Sequence, residues 1–295
     1  MKEHNKIHWV KGLDITPEIL VSSDNYHITE RVFLGQFLAF RLYGVLPDKK
    51  FGIRKWMDHN TSTLYIDNLE CVAITHDGYV INIQSTAIPL EREVSVKEEP
   101  GERYVVLTVN PYSLSLVDEK GVHVCPEYNF VLKRTDEAIE NGIPVAKLYH
   151  NSSSQQWDID EKYITPCISL SSIDVLRQLF ADIKEKLRLA FEKLSETDAI
   201  YMQTALLKLE LDNYSLKESP QELVMLLKKI CWLFKSYLKT VKNIDEVPTV
   251  SKFTDEKYNH NEMGSILHLG LDSLVEIDVK IGEKPVVEVI DEIKV

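Results

Sequence analysis

The side chains able to do chemistry are few and scattered. Four cysteines, Cys71, Cys125, Cys167 and Cys231, stand far apart. That spacing excludes a CxxC zinc or redox motif and gives no disulfide framework. Cys125, ahead of Pro126, and Cys167 lie in apolar surroundings with no basic neighbour, the setting of buried inert thiols rather than nucleophiles. The histidine pairs are His4/His8 and His260/His268. Positions eight apart can share a helix face, but no carboxylate or cysteine stands at ligand spacing, so surface or capping histidines are expected. Asp158 and Asp160 fall on one face of a strand, as paired carboxylates would require, although solvated turn acids are the plainer reading. P-loop, GxGxxG, GxSxG and HExxH motifs are all missing, and only 11 glycines are spread along the chain. The residue types and spacings single out no catalytic, cofactor-binding or metal site.

What must be positioned, then, is surface rather than chemistry. The 295 residues carry 34 Lys plus Arg against 46 Asp plus Glu, a net charge of −12 distributed over both halves. No basic block survives that could neutralise phosphates, which argues against nucleic acid or an anionic membrane as partner. The longest apolar runs are Leu223–Leu227 and Ile230–Phe234. A membrane span needs about 20 such residues, so direct membrane insertion is not expected. The first residues lack an apolar stretch of the secretory type, and a cytoplasmic location is expected. With 44% apolar and 27% charged residues, the chain has the means to build a core.

Two textures divide the sequence near residue 170. Up to there it reads as short strands and turns: Thr63–Asp67, Leu69–Thr75, a His76-Asp77-Gly78 turn, then Tyr79–Ile83 as hairpin partner. Tyr104–Val109 and Tyr112–Val117 flank a turn at Asn110-Pro111, and Tyr128–Lys133 and Ile143–Tyr149 follow around Asn141-Gly142. Strands at this spacing predict an antiparallel sandwich or barrel. Ahead of them, Thr29–Tyr43 predicts a helix through Phe33, Phe37 and Phe40.

After Ser171 the period becomes helical. Ile173, Leu176, Phe180, Ile183, Leu187, Ala190 and Leu194 alternate spacings of three and four, and Ala199, Met202, Leu206 and Leu209 repeat the rhythm on a second helix. A third opens with Ser219-Pro220-Gln221-Glu222, a capping box with proline at the first helical position. Its seam is Leu223, Leu226, Ile230, Leu233 and Tyr237, beside a second apolar row of Val224, Leu227, Cys231, Phe234, Leu238 and Val241. So broad an apolar face is buried on more than one side, either inside its own bundle or at a contact with a second copy. Leu223, Leu227, Ile230, Phe234 and Leu238 are therefore the candidate bundle or self-association residues. Asn243–Lys257 reads as a polar connector, and Asn261–Val279 as a fourth helix through Met263, Ile266, Leu267, Leu271 and Leu274. The expected fold class is α+β. Residues 1–168 form an N-terminal segment and β-sandwich, 169–280 a helical bundle, and 281–295 a stub with a short Val286–Ile290 strand.

Trp9, Gly12, Leu13 and Pro17 stand near the start, with Asp24-Asn25-Tyr26 after them; Tyr43-Gly44, Ile143–Leu148 with Tyr163–Ile168, and Tyr258-Asn259-His260 follow in order. These four stretches resemble the TssK family, the baseplate subunit of bacterial type VI secretion systems, whose opening signature is Trp-x-Glu-Gly-Met/Leu followed by Pro. Lys11 replaces the usual acid, and Glu18-Ile19 replaces His-Phe. Tyr43-Gly44 falls at the family's Tyr-Gly step. Ile143-Pro144-Val145-Ala146-Lys147-Leu148 and Tyr163-Ile164-Thr165-Pro166-Cys167-Ile168 resemble the joint into the helical part, with Thr165 in place of the first proline. Tyr258-Asn259-His260 resembles the Tyr-x-His ahead of the last bundle helix.

The resemblance implies structural work, not catalysis, so the protein is expected not to be an enzyme. It implies a homotrimer with a β-sandwich shoulder and a helical neck similar to phage receptor-binding proteins. It also implies docking on TssF-like and TssG-like wedge subunits, and a link from the baseplate to an inner-membrane anchor complex. Trp9, Gly12, Leu13, Pro17 and Tyr26 would form the wedge interface, with Trp9 alternatively a core residue pinning an N-terminal strand. Tyr163, Pro166 and Cys167 would form the domain joint. Family members carry a C-terminal head that contacts the membrane complex. Only Lys280–Val295 follow the fourth helix here, so that contact is expected to be absent. The alternatives are a phage or contractile-tail adaptor of the same plan, and an enzyme with a site the motifs do not reveal.

Overall fold

The computed structural model describes residues 6–39, 42–84, 88–97, 99–117 and 124–282. The chain divides into two compact units, Met1–Ile173 and Asp174–Val295. His4, Phe40 and the Val286–Ile290 strand lie outside the described residues.

In the first unit, helix α1 (Pro17–Ala39) precedes two antiparallel sheets. The helix starts on proline, which needs no N–H partner there, and the Thr16 hydroxyl accepts the Ile19 amide at 3.4 Å. It begins twelve residues before the expected Thr29, because its first half carries no apolar stripe to signal it. Phe33 and Phe37, whose spacing marked this helix in the sequence, are exposed, with Phe37 80% accessible. The face that docks is the one bearing Val32 and Gly35, both buried. There the helix meets the turn after β3 so closely that a Cβ on Gly35 would lie 2.1 Å from the Gly78 carbonyl oxygen. Thr29 Oγ1 and the Tyr112 hydroxyl add a hydrogen bond at 3.1 Å.

The five-stranded sheet is organised on β3 (Thr63–Ile74), which pairs with β1 (Gly44–Val45), β2 (Gly52–Asp58), β4 (Val80–Ile83) and β5 (Glu93–Ser95). Where two strands were expected over Thr63–Thr75 there is one, its register against β2 shifting between Arg54 and Lys55. The His76-Asp77-Gly78 turn closes the β3–β4 hairpin as expected, with Gly78 at φ 85. The second sheet has the order β7-β6-β8-β9, from β6 (Glu102–Leu116), β7 (Val124–Arg134), β8 (Gly142–Asn151) and β9 (Gln156–Ile159).

The turn expected at Asn110-Pro111 is absent, and β6 runs straight through it. Its ladder with β7 is interrupted between Asn110 and Leu114, so Pro111, which has no N–H, falls in the irregular stretch. The other strand prolines obey the same constraint. Pro144 lies at the register shift between β6 and β8, and Pro126 lies on the edge strand β7.

The second unit holds α2 (Asp174–Glu192), α3 (Tyr201–Asp212), α4 (Pro220–Val241), α5 (Pro248–Asp255) and α6 (Met263–Gly282). The α2 seam is buried at Leu176, Phe180, Ile183, Leu187 and Ala190. The α4 capping box is formed from both sides, the Ser219 hydroxyl accepting the Glu222 amide and the Glu222 carboxylate accepting the Ser219 amide. The polar connector contains a helix after all: α5 is short, and its two apolar anchors, Val250 and Phe253, are fully buried. Gly270 of α6 admits the Phe253 ring, which lies 3.0 Å from where a Cβ would stand.

The row expected to bury α3 does the opposite. Met202, Leu206 and Leu209 are exposed, and the helix instead buries Thr204 and Leu211. Seven-residue spacing put both faces in competition, and the less apolar one docks.

Candidate functional site

Each sequence motif now has a place. Gly44 opens β1 at φ 110, and this strand lies beside the joint segment as well as beside β3. The Val45 amide donates to the Pro166 carbonyl at 2.9 Å, and the Ile168 amide donates to the Val45 carbonyl at 3.0 Å. Tyr163 donates its hydroxyl to the Pro144 carbonyl at 3.4 Å and packs its ring on Tyr104. Thr165, the substitute for proline, donates to the Val145 carbonyl at 3.4 Å. Three motifs far apart in sequence, Tyr43-Gly44, Ile143–Leu148 and Tyr163–Ile168, thus meet in one buried knot that ends the first unit. Cys167 lies inside it, fully buried, with Sγ donating to the Ser169 carbonyl at 3.1 Å.

Buried surroundings make Cys71, Cys167 and Cys231 poor nucleophiles, whereas Cys125, expected to be buried too, is only half-buried on the edge strand β7. Desolvation pushes Cys71 up to about 12, and pushes Cys167 and Cys231 higher still. Asp158 and Asp160 do not form a catalytic pair. Asp158 accepts from the Asn151 amide group and faces His59, while Asp160 accepts the Lys162 amide in the turn after β9. Near the last helix, the Tyr258 hydroxyl bonds His260 Nδ1 at 2.7 Å, and the Asn259 side chain caps the turn leading into α6. Among the described residues, no three His, Cys, Asp or Glu side chains come together as metal ligands.

The N-terminal signature forms no strand. Residues 6–16 precede α1, with Gly12 in a turn at φ 90 that leaves open space around it. Trp9 is 51% exposed, which removes the alternative that it pins a strand to the core of its unit. Leu13 is half-buried, Pro17 is exposed, and half-buried Tyr26 donates its hydroxyl to Glu30 at 2.6 Å. That hydrogen bond to a carboxylate holds the phenol above its usual range. Val10, Ile15, Phe33, Leu34 and Phe37 add exposed apolar groups to the same stretch of chain.

The five bundle candidates behave otherwise. Leu223, Leu227, Ile230, Phe234 and Leu238 are each fully buried by the chain itself, so these five are not a surface for another copy. The second row reaches solvent at its end, at Val241, which is 50% exposed. Among the exposed apolar groups of this unit that the sequence reading missed are Met202, Leu206 and Leu209 on α3 and Met225 and Trp232 on α4, the last 65% exposed. A signal was available: both faces of α3 are apolar, and one must be left over.

A family model described as "Bacterial Type VI secretion, VC_A0110, EvfL, ImpJ, VasE" matches residues 117–227. No curated protein matches the chain. Among solved structures, a chain of the TssK–TssF–TssG baseplate subcomplex of the type VI secretion system, seen by cryo-electron microscopy, is similar at 13% identity and TM-score 0.59, over 94% of this chain and 100% of that one. A crystal structure of TssK gives 12% and 0.58, over 95% of this chain and 73% of that one. TssK from the type VI system of EAEC, bound to a nanobody, gives 14% and 0.57 over 88% and 68%. The fold is thus of the class seen in type VI secretion baseplate proteins. The resemblance read in the sequence holds at the level of the fold, which is TssK-like.

Proposed function

We propose that this chain is a non-catalytic structural subunit of a type VI secretion baseplate. In this reading it associates as a homotrimer, docks on TssF-like and TssG-like wedge subunits and links the baseplate to its membrane anchor. The observation that carries the reading is the likeness in fold over 94% of the chain to the whole of a chain from a TssK–TssF–TssG subcomplex. No helix of the described residues is long and apolar enough to cross a membrane.

Two exposed apolar surfaces give the reading residues. Met202, Leu206, Leu209 and Trp232 are assigned to self-association, in place of the five buried candidates on α4. Trp9 and its neighbours are assigned to the wedge. Exposed large aromatics are the residue types that dominate interfaces, often costing about 2 kcal/mol or more when truncated.

Co-expression of the full chain with the wedge subunits, followed by co-purification and titration, tests this. Trp9→Ala is expected to weaken wedge binding by about tenfold or more while the unfolding midpoint stays within a few degrees. Wedge binding by the variant equal to that of the parent would remove Trp9 from the interface. Failure of the parent chain to bind either wedge subunit would remove the function.

A further inference from the structure

Within the first unit, a groove of about 490 Å³ runs between α1, the outer edge of β4 and the β6–β7 ribbon. Its size is within the range of sites that take a ligand or a short peptide segment. Val80, Leu114 and Val124 line it and are all exposed, so its walls offer apolar area to something outside the chain.

One wall is an incomplete strand edge. The Thr75 amide donates to the Tyr79 carbonyl at 2.8 Å, which sets the alternation of the β3–β4 hairpin. Val80 and Asn82 therefore turn their backbone groups away from β3. At Asn82 the Tyr128 hydroxyl takes the place of a neighbouring strand, accepting the amide at 3.2 Å and donating to the carbonyl at 3.4 Å. At Val80, one step along the same edge, no such substitute stands among the described residues.

The charge pattern narrows the occupant. Arg31 is the only charged residue lining the groove, and among the described residues it has no ion-pair partner. With Asn82 satisfied by Tyr128, the edge is open at Val80 alone among the described residues, so the apolar walls and the guanidinium do most of the selecting. They suit an extended peptide that seats alternate side chains in the walls and brings one carboxylate.

We propose that this groove receives an extended segment of the wedge partner, apolar at alternate residues, whose single carboxylate pairs with Arg31. The inference rests on the wedge-docking reading. It adds where the partner chain enters and what chemistry that chain must have.

The test uses the full chain reconstituted with its wedge subunits. Leu114, 60% exposed, is replaced by the photo-crosslinker p-benzoylphenylalanine, and the crosslinked peptide is read by mass spectrometry. In parallel, wedge affinity is measured for Arg31→Glu and Arg31→Lys. The expected result is a crosslink to one contiguous wedge segment with a carboxylate among alternating apolar residues. Arg31→Glu should bind about tenfold or more weakly, and Arg31→Lys within about threefold of the parent.

A wedge complex that forms with parental affinity in Arg31→Glu, and gives no crosslink at Leu114, would overturn the groove and leave wedge docking standing. A crosslink into residues 283–295 of this chain would overturn it too, because the occupant would then be the chain's own end. No complex with the parent chain would remove both readings.

Discussion

Phe234→Asp is expected to unfold the helical unit rather than separate folded copies. Phe234 is 0% exposed, with Leu227, Cys231 and Leu238 on the same row equally enclosed. Truncating such a ring costs about 3–5 kcal/mol through lost transfer energy and the cavity left behind. A carboxylate in its place adds the cost of a buried polar group without a partner, several kcal/mol more unless it protonates. The sum is comparable with the roughly 5–15 kcal/mol by which domains are stable. Circular dichroism is expected to show loss of most helical signal from this unit at 25 °C. A variant that keeps the helical signal and merely changes its mass in solution would return the second row of α4 to the surface and contradict the burial described above.

The second large effect is expected at Gly44. Its φ of 110 is a conformation that side chains rarely adopt, and a Cβ there would stand 2.1 Å from the Pro166 carbonyl oxygen and 2.3 Å from its carbon. Neither neighbour can yield cheaply, since both are backbone atoms of the segment that Val45 and Ile168 hold by hydrogen bonds. Gly44→Ala combines backbone strain of about 1–3 kcal/mol with overpacking of about 1–3 kcal/mol. The expected loss is therefore roughly 2–6 kcal/mol. Chemical denaturation followed by Trp fluorescence measures it, with Gly52→Ala as the control because nothing lies within 4 Å of that Cβ position. Equal midpoints for the two variants would mean that β1 and the joint segment do not form the tight contact described.

What was legible in the sequence followed the strength of local signals. The Ser219-Pro220-Gln221-Glu222 box announced α4 because capping needs only four neighbouring residues. The α2 seam announced itself because one face is apolar and the other charged. Gly44 and Pro166 stand far apart in sequence, so nothing local could reveal that the glycine exists to let the Pro166 carbonyl approach. The family resemblance pointed to both segments without giving that reason.

Misreadings came where two faces competed. α3 carries apolar residues on both sides, and α1 carries its phenylalanines away from Gly35, the position where contact is closest. A helix can dock through a glycine that contributes no hydrophobicity at all, and apolar periodicity cannot detect it. α5 escaped for the opposite reason: eight residues with two anchors are too short for a period to show. The candidate interface around Trp9 was visible as a motif, and only its exposure separated the surface reading from the core one.

The central claim is a trimeric structural subunit, and multi-angle light scattering of the full chain at micromolar concentration tests it most directly. The account predicts a mass of about three times the 34.0 kDa of one chain. It also predicts that the combined change Met202→Glu, Leu206→Glu and Trp232→Glu lowers the mass to that of one chain. Unfolding should be little altered in that variant, since substitutions at exposed positions usually change stability by no more than about 0.5 kcal/mol each. A parent chain that scatters as a single 34.0 kDa species at that concentration would contradict the account.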